Sequence, residues 1–384
     1  MKKGFLVLET GDIFEGTLIG HPAEACGEVV FNTSMTGFSE MLTDPGYAGQ
    51  ILTLTNPLIA SCSLDPKAYE SERIQVQGVV LGYLTALESP DEQDSLTKKL
   101  EKAGVTGIAN MDTRALIKVM RKQGTLLGVI TDSLDNIQEK ETWIKRKSLA
   151  TSINWVEKVS TQRELTYLPA ESAPSSPCDV KEREPHLPET NPHVVIMDFG
   201  VKKSLIRSLL AAGCQVTVVP YHYTASQIEQ LKPKGVILSG GPGDPLVLRA
   251  HLAELRKISE RYPTLAIGLG HQLLALAYGA KVKKLPCGHR GSNHPVKEVV
   301  SGKVFITAQN HGYTLVEESI SSEEFTVTYC HVNDGSIEGL KHKHLPITTV
   351  QFHPEAHPGP RDALPILTQF VQQLRVGDMQ YAFT

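Results

Sequence analysis

The second half of the chain alternates short apolar runs with amphipathic stretches, and this alternation limits the available folds more than any other feature. The apolar runs Val194–Met197, Gln215–Val219, Gly235–Leu238 and Leu265–Ile267 are predicted strands. The stretches between and after them predict helices at Lys202–Ala212, Ala225–Leu231, Leu252–Glu260 and Gln272–Tyr278. Continuous apolar strands separated by helices are typical of a parallel sheet covered on both faces. The predicted fold class is therefore α/β.

The first half of the chain has a different pattern. Strand-like runs at Phe5–Leu8, Ile13–Gly16 and Glu28–Asn32 are followed by helical patterns at Ser95–Ala103 and Thr113–Lys122, which predicts a mixed α+β domain. Proline, serine and glutamate crowd together between residues 168 and 191, and such a composition cannot bury enough apolar surface to pack. We therefore predict an N-terminal domain over 1–150, a linker region over 151–191 and a C-terminal domain over 192–384.

Charge and cysteine usage narrow the classes of function. A net charge of -4 over 384 residues gives no reason to expect nucleic acid or an anionic membrane as a partner. No apolar stretch is long enough to span a bilayer. The six cysteines are scattered without a CxxC pair, which favours reduced thiols and gives no indication of a metal site. We expect a cytoplasmic protein with no metal.

One strand end has the shape of a site that presents a reactive side chain. The run Leu265–Ile267 leads into a sharp glycine turn and then a helix, the pattern of a nucleophile elbow. The elbow position, however, is Gly268, which has no side chain. Because active sites in parallel sheets lie at the carboxyl ends of strands, the glycine-rich turn 239–245 and the elbow are expected to face one another across one crevice.

The glycine-rich turn allows two interpretations. Glycines let the backbone approach a ligand closely, so the N–H groups of Gly241 and Leu269 are candidates for an oxyanion hole. The alternative is a tight turn between a strand and a helix, with no ligand.

A histidine and a carboxylate follow the apolar run 347–352. Alternation along an extended segment places His353 and Glu355 on one side, where they would act as a general base and the acid that orients it. Chance pairing at a polar strand end is the alternative, since the chain has 14 histidines.

Two further polar groups follow apolar runs. Residues 309–313 combine amide side chains with a glycine and a tyrosine after the predicted strand 304–307, which suits either a small polar ligand or an ordinary β-turn. His271 and Gln272 open the helix after the elbow, where backbone N–H groups favour anions, although a polar first turn is also an ordinary helix start.

Taken in order, these motifs resemble the triad (class I) glutamine amidotransferases, and most closely the small subunits of carbamoyl-phosphate synthase. The C-terminal half contributes residues 198–202, 241–245, 270–272, 291–296, 309–312 and 353–356 to the resemblance, and the N-terminal half contributes 27–37, 42–45 and 112–116. The N-terminal motifs carry the likeness to the small subunit, whereas the C-terminal motifs alone would indicate only the wider family.

The resemblance implies a division of labour between two subunits. In this family the small subunit hydrolyses L-glutamine, and the ammonia passes to a large subunit, which uses ATP and Mg to make carbamoyl phosphate for arginine and pyrimidine synthesis. It implies no cofactor on this chain. It also implies that His353 is the general base and acid, that Glu355 orients it, and that Gly241 and Leu269 form the oxyanion hole. The residues implied to hold glutamine are Gly46, Gly243, Gln272, Asn310, Gly312 and Tyr313.

The chain departs from the family's pattern at several positions. Gly268 stands where the family has its nucleophilic cysteine, Gly46 where it has a serine that helps hold the substrate, Gly240 where it usually has asparagine, and Ala266 where it usually has glycine. Cys287 is the one cysteine near a recognised motif in sequence, but it is not at an elbow. Without a thiol at position 268 a thioester cannot form there.

Two hypotheses follow from these departures. In the first, the chain is a carbamoyl-phosphate synthase small subunit whose own glutaminase step is lost or very slow. In the second, it is a non-catalytic glutamine-binding, regulatory or structural subunit.

Overall fold

The computed structural model describes residues 2–56, 58–59, 64–84, 95–135, 153–169 and 191–381. The strands are β1 Lys3–Leu8, β2 Ile13–Gly20, β3 Ala25–Asn32, β4 Gln50–Leu54, β5 Leu58–Ile59, β6 Gly78–Val80, β7 Tyr83–Leu84, β8 Thr106–Ala109, β9 Leu126–Thr131, β10 Leu165–Tyr167, β11 His193–Asp198, β12 Gln215–Pro220, β13 Gly235–Leu238, β14 Thr264–Ile267, β15 Val282–Glu298, β16 Val304–Leu315, β17 Phe325–His331, β18 Ile337–His342 and β19 Ile347–Val350. The α-helices are α1 Phe38–Thr43, α2 Leu96–Lys102, α3 Thr113–Gln123, α4 Trp155–Val159, α5 Lys203–Ala211, α6 Ala225–Gln230, α7 Leu252–Arg261, α8 Leu269–Ala277 and α9 Leu364–Tyr381. No helix within these ranges is long and apolar enough to cross a bilayer.

The N-terminal strands form a closed barrel in the order β1-β2-β8-β6-β4-β3-β9. The barrel closes where β1 pairs with β9, for example Phe5 opposite Thr131. Helix α3 begins at a cap in which the Asp112 carboxylate accepts a hydrogen bond from the Ala115 N–H (2.9 Å), and it ends before Gly124. The mixed α+β character is confirmed, whereas closure of the barrel was not predicted.

The C-terminal strands form one ten-stranded sheet in the order β10-β12-β11-β13-β14-β19-β18-β17-β15-β16. The five neighbours from β12 to β19 run parallel and the remaining pairs are antiparallel. Side chains of β11 alternate between two buried clusters, with Val195 and Met197 in one and Val194 and Ile196 in the other. The predicted parallel sheet covered on both faces is therefore confirmed.

Part of the predicted linker region contains regular structure. Residues 153–169 include α4 and β10, and β10 pairs with β12 at the edge of the C-terminal sheet. Neither element was apparent in the sequence, because both are short and the pairing partner of β10 lies about fifty residues further along the chain. Residues 170–190 lie outside the described ranges. The predicted domain limits stay a prediction.

The two domains are joined by a buried carboxylate. Glu70 has no exposed surface, and its carboxylate accepts hydrogen bonds from the Ser204 hydroxyl (2.5 Å) and the Arg207 guanidinium (2.9 Å) at the first turns of α5. Charged groups this deeply buried are paired, since an isolated carboxylate there would lose its hydration without compensation. The contact fixes the N-terminal domain against the carboxyl edge of the parallel strands.

Candidate active site

The elbow predicted at Gly268 is present between β14 and α8. Gly268 has φ 55° and ψ -112°, in the region that favours glycine. Its N–H donates to the Val350 carbonyl (2.9 Å), which holds the turn against β19. A Cβ built at Gly268 would lie 3.4 Å from the Gly240 Cα and 3.7 Å from the Gln351 carbonyl oxygen, which are ordinary contact distances. The elbow thus has room for a side chain that the sequence does not provide.

Helix α8 begins immediately after the elbow, at Leu269, three residues earlier than predicted. The apolar start of this helix resembles a continuation of the strand, so the sequence pattern placed the boundary at the first polar residues. His271 is fully buried within the first turn and its Nδ1 lies 2.7 Å from the Thr349 hydroxyl. Burial lowers the pKa of His271 to about 3, so the ring is neutral. The His271 ring packs against β19 rather than facing the crevice.

His353 and Glu355 lie together beside the elbow. The His353 Nδ1 is 2.9 Å from the Glu355 Oε1, and both side chains are buried. Strand β19 ends at Val350, so the extended segment assumed from the sequence is wrong; His353 instead makes an isolated bridge to Ala308 before a turn. The turn still brings carboxylate and imidazole into contact. A carboxylate at Nδ1 fixes the tautomer and leaves Nε2 as the proton acceptor.

A buried lysine completes this pair, and its role was not recognised from the sequence. The Lys202 Nζ lies 3.6 Å from the Glu355 Oε1 and donates to the backbone carbonyls of Ala356 and His357 (2.6 Å each). Burial alone would raise the pKa of Glu355, but the charges of His353 and Lys202 lower it to about 2. Glu355 is therefore ionised near neutral pH and can orient His353.

The proposed oxyanion donors face the same space. The N–H groups of Gly241 and Leu269 donate to no other group among the described residues, and both residues line the cavity beside Gly268. Two unpaired N–H groups on the wall of one cavity, one of them at a helix start, are candidates to hold a negatively charged oxygen. The glycine-rich turn also lies close to the elbow, as the Gly268–Gly240 approach requires. The single crevice expected from the sequence is therefore confirmed.

A cavity of about 440 Å³ lies between the two domains at this point. Ten of the eleven predicted site residues line this cavity. The eleventh, Glu355, lies behind His353. The ten that line the cavity are Gly46, Gly241, Gly243, Gly268, Leu269, Gln272, Asn310, Gly312, Tyr313 and His353. The volume is in the range of small-molecule sites.

The segment 309–313 lies inside strand β16 rather than in a turn at a strand end. β16 continues to Leu315 and pairs with β15, and two register irregularities in β15 allow the pairing to extend past glycine and amide residues. The Asn310 Nδ2 donates to the Asp44 carboxylate of the N-terminal domain (3.1 Å). The Gln272 Nε2 donates to the Tyr313 carbonyl (3.0 Å), which ties α8 to the same strand.

Two glycines at which the chain departs from the family's pattern lie against these side chains. A Cβ at Gly46 would lie 2.7 Å from the Asn310 Nδ2, so any side chain there requires the amide to move. A Cβ at Gly240 would lie 3.1 Å from the His353 Cε1. The present positions of Asn310 and His353 therefore depend on the absence of side chains at 46 and 240.

Comparison with known proteins shows the family to which the chain belongs. The family model "Glutamine amidotransferase class-I" matches residues 195–373, and "Carbamoyl-phosphate synthase small chain, CPSase domain" matches residues 6–130. The carbamoyl phosphate synthase small chain of Listeria monocytogenes serotype 4b is 42% identical over 97% of both chains. The chain belongs to the carbamoyl phosphate synthase small-chain family. Bacillus subtilis has an arginine-specific small chain, 41% identical over 97% of both chains, and a pyrimidine-specific one, 41% identical over 98% of this chain and 97% of the relative.

The N-terminal domain of this small-chain family member supplies part of the site that motif reasoning did not identify. Asp44 accepts from Asn310, and its other oxygen accepts from the Gly46 N–H (2.8 Å). Glu28 and Arg290 bring charges of both signs to the cavity wall. Burial would raise the pKa of Glu28, but Arg290 and Lys284 lower it, so its carboxylate stays charged. Glu28 and Asp44 lie in N-terminal motifs that carry the resemblance, but no local pattern links them to Arg290 of the C-terminal domain.

Among the described cysteines of this small-chain family member, Cys287 does not replace the missing side chain at the elbow. Cys287 is absent from the cavity wall; its Sγ lies 3.5 Å from the Met120 carbonyl, and burial raises the pKa of the thiol. Among the described cysteines, Cys26 lines the cavity from strand β3 of the barrel. Cys62 and Cys178 lie outside the described residues.

Proposed function

We propose that this chain is a glutamine-binding small subunit of a carbamoyl phosphate synthase that docks on a large subunit and whose own hydrolysis of glutamine is lost or very slow. The observation that carries the proposal is Gly268 at a well-formed elbow, with His353 and Glu355 in place beside it. Loss of a nucleophile removes on the order of 10⁶ in rate when the other members of the triad act as a unit with it.

Recognition of glutamine is separate from attack on it. The unpaired N–H groups of Gly241 and Leu269 suit the amide oxygen of glutamine, and the charges of both signs on the cavity wall suit its ammonium and carboxylate groups. These groups lie on elements other than the elbow. Glutamine is therefore expected to bind and to remain intact.

The resemblance adds three parts to the proposal. These are the large subunit, its use of ATP and Mg, and the delivery of carbamoyl phosphate to arginine or pyrimidine synthesis. Relatives of the arginine-specific and the pyrimidine-specific kind are about equally similar to this chain, so the proposal includes both pathways. The chain itself is proposed to need no cofactor, nucleic acid or membrane, and to act in the cytoplasm.

The second candidate is a non-catalytic glutamine-binding or regulatory subunit. The observation that favours it is the close packing at Gly46 and Gly240, since side chains there would displace Asn310 and His353. Because the site differs from the family's pattern at Gly46, Gly240 and Gly268, restoring a thiol at position 268 alone would not restore that pattern.

The decisive experiment compares nitrogen sources in the reconstituted complex of this chain with a carbamoyl phosphate synthase large subunit. We expect carbamoyl phosphate to form from ammonium chloride but not from glutamine, while calorimetry detects glutamine binding to the chain. Synthesis from glutamine at a rate comparable to that from ammonia would refute the loss of hydrolysis. Failure of the chain to associate with the large subunit would refute the subunit role and leave only glutamine binding by the chain itself.

A further inference from the structure

A second group of polar side chains lies where β15, β16 and β18 meet, and one of its members, His311, also lines the cavity beside the elbow. Glu338 has no exposed surface, and its Oε1 has no hydrogen-bond partner within the described residues. The Nδ1 of His289, also buried, has none either. The two atoms lie 3.6 Å apart, beyond hydrogen-bond distance but within ion-pair distance when His289 is protonated. A buried polar atom without a partner calls for an explanation, and a bound water or ion is one.

A third donor atom approaches the same point. The His311 Nε2 lies 3.8 Å from the Glu338 Oε1, and the His289 and His311 rings are perpendicular with centroids 5.0 Å apart. All three atoms lie within 4.8 Å of one another. Ligands about 2.0–2.2 Å from a tetrahedral metal are separated by about 3.3 Å, so each histidine nitrogen, at 3.6 and 3.8 Å, lies within a few tenths of an ångström of that separation from the Glu338 Oε1.

The far side of each group is held as metal ligands usually are. The His289 Nε2 lies 3.0 Å from the Asp334 carboxylate, the His311 Nδ1 lies 2.8 Å from the Tyr313 carbonyl, and the remaining Glu338 oxygen accepts from the Gln309 amide (3.0 Å). When the proton of each ring lies on the nitrogen that faces this outer oxygen, the other nitrogen directs its lone pair inward. Outer partners of this kind orient imidazoles toward a metal.

The contact between Gln309 and His311 depends on which ring nitrogen carries the His311 proton, and a proton on Nε2 would be donated to the Gln309 Oε1. The Gln309 Oε1 lies 2.8 Å from the His311 Nε2, so with the His311 proton on Nδ1 two lone pairs face one another. Rotating the amide by 180° would place its oxygen against the Glu338 carboxylate instead, which then requires a proton. A cation beside both atoms satisfies His311, Gln309 and an ionised Glu338 together.

The neighbouring triplet of His289, His294 and His331 is a poorer site. The His289 and His331 rings are stacked at 4.1 Å with 18° between their planes, so their lone pairs run side by side and do not converge. The His294 Nδ1 and His331 Nε2 lie 3.1 Å apart and satisfy one another as donor and acceptor. This triplet therefore needs no ion.

We propose that His289, His311 and Glu338 bind a divalent transition-metal ion, with zinc best matched to the donor set and the Gln309 carbonyl oxygen available as a further ligand. The ion would join β15, β16 and β18. Because His311 and its neighbours Asn310 and Gly312 on β16 all line the cavity, the ion would stiffen the strand that forms that wall. The site is independent of whether glutamine is hydrolysed.

The test uses the full chain, stripped with a chelator and titrated with Zn(II), with bound metal measured by elemental analysis and Co(II) used as a spectroscopic substitute. We expect one equivalent of Zn(II) and a ligand-field spectrum of Co(II). Glu338→Gln should abolish binding, and Asp334→Asn should weaken it about 10–100-fold, since Asp334 orients His289. His344→Gln is the matched control, because His344 is exposed and lies outside the cluster.

The proposal would be overturned if the chelator-treated chain bound no ion at micromolar Zn(II). It would also be overturned if His344→Gln lost as much Zn(II) binding as Glu338→Gln. If Glu338→Gln does not fold, X-ray absorption of the zinc-loaded wild-type chain decides. Two imidazole nitrogens with oxygen ligands at about 2.0–2.2 Å would support the site. A sulfur ligand, or a different number of imidazoles, would contradict it.

Discussion

Restoring a thiol at the elbow by Gly268→Cys tests whether the remainder of the hydrolytic site is intact. The substitution adds a side chain where the nearest atoms would be 3.4 and 3.7 Å from the new Cβ, so we expect no steric displacement. His353 already lies beside Gly240 with its carboxylate partner in place. The new thiol would therefore have an oriented base and two oxyanion donors, and hydrolysis should rise by up to ~10⁶.

The same substitution has a cost in stability that follows from the backbone. Gly268 has φ 55°, and a non-glycine residue in such a conformation costs about 1–3 kcal/mol. In a domain of this size 1 kcal/mol lowers Tm by about 2–4 °C, so we expect Tm to fall by about 2–12 °C. Gly279→Ala is the matched control: Gly279 has φ +87° with nothing near its Cβ position, so it carries strain alone.

Glutamine hydrolysis by the two variants and the wild-type chain is measured as released glutamate, alongside thermal unfolding. Gly268→Cys should gain activity and lose about as much stability as Gly279→Ala. A loss much larger than that of the control would show that the elbow has no room for a side chain. A folded Gly268→Cys with no more activity than the wild-type chain would show that other parts of the site have been lost, in agreement with the binding-subunit alternative.

Three further predictions concern the neighbours of the elbow. Gly46→Ser should displace the Asn310 amide, because the new Cβ would lie 2.7 Å from it, and so change the calorimetric affinity for glutamine, while folding is retained. Lys202→Met should lower the free energy of unfolding, measured by denaturant titration, by about 3–5 kcal/mol, because Glu355 would lose its buried partner. The control Lys203→Met removes an exposed ion pair and should lower the free energy of unfolding by less than about 1 kcal/mol. Folding lowers the pKa of Glu355 from 4.5 to about 2, so its ionisation contributes up to about 3 kcal/mol to the free energy of unfolding above pH 4.5. This contribution is lost as the pH falls toward 2. When the free energy of unfolding is measured against pH, the decline at acid pH should be absent in Glu355→Gln. Equal costs for the two lysine variants, or an unchanged acid decline in Glu355→Gln, would contradict the assigned electrostatics.

The sequence predicts the local elements well and the long-range contacts poorly. The cap at Asp112 and the strand Gly235–Leu238 were placed correctly because they depend on residues close in sequence. The barrel was missed, since its closure depends on β1 pairing with β9, about 120 residues apart. Lys202 was missed because a lysine at the start of a helix resembles an ordinary solvated residue, and its partner Glu355 is distant in sequence.

The site separates into parts that the loss of one side chain affects differently. The elbow is set by the backbone, through the Gly268 N–H bond to Val350 and the start of α8, and glycine adopts that conformation without strain. The oriented base is set by Lys202 and Glu355, which belong to a buried electrostatic network whose disruption costs stability. Retention of His353 and Glu355 therefore follows from folding alone and does not by itself indicate turnover. Activity in the Gly268→Cys variant would show that this structural constraint has preserved a usable base where the nucleophile is absent.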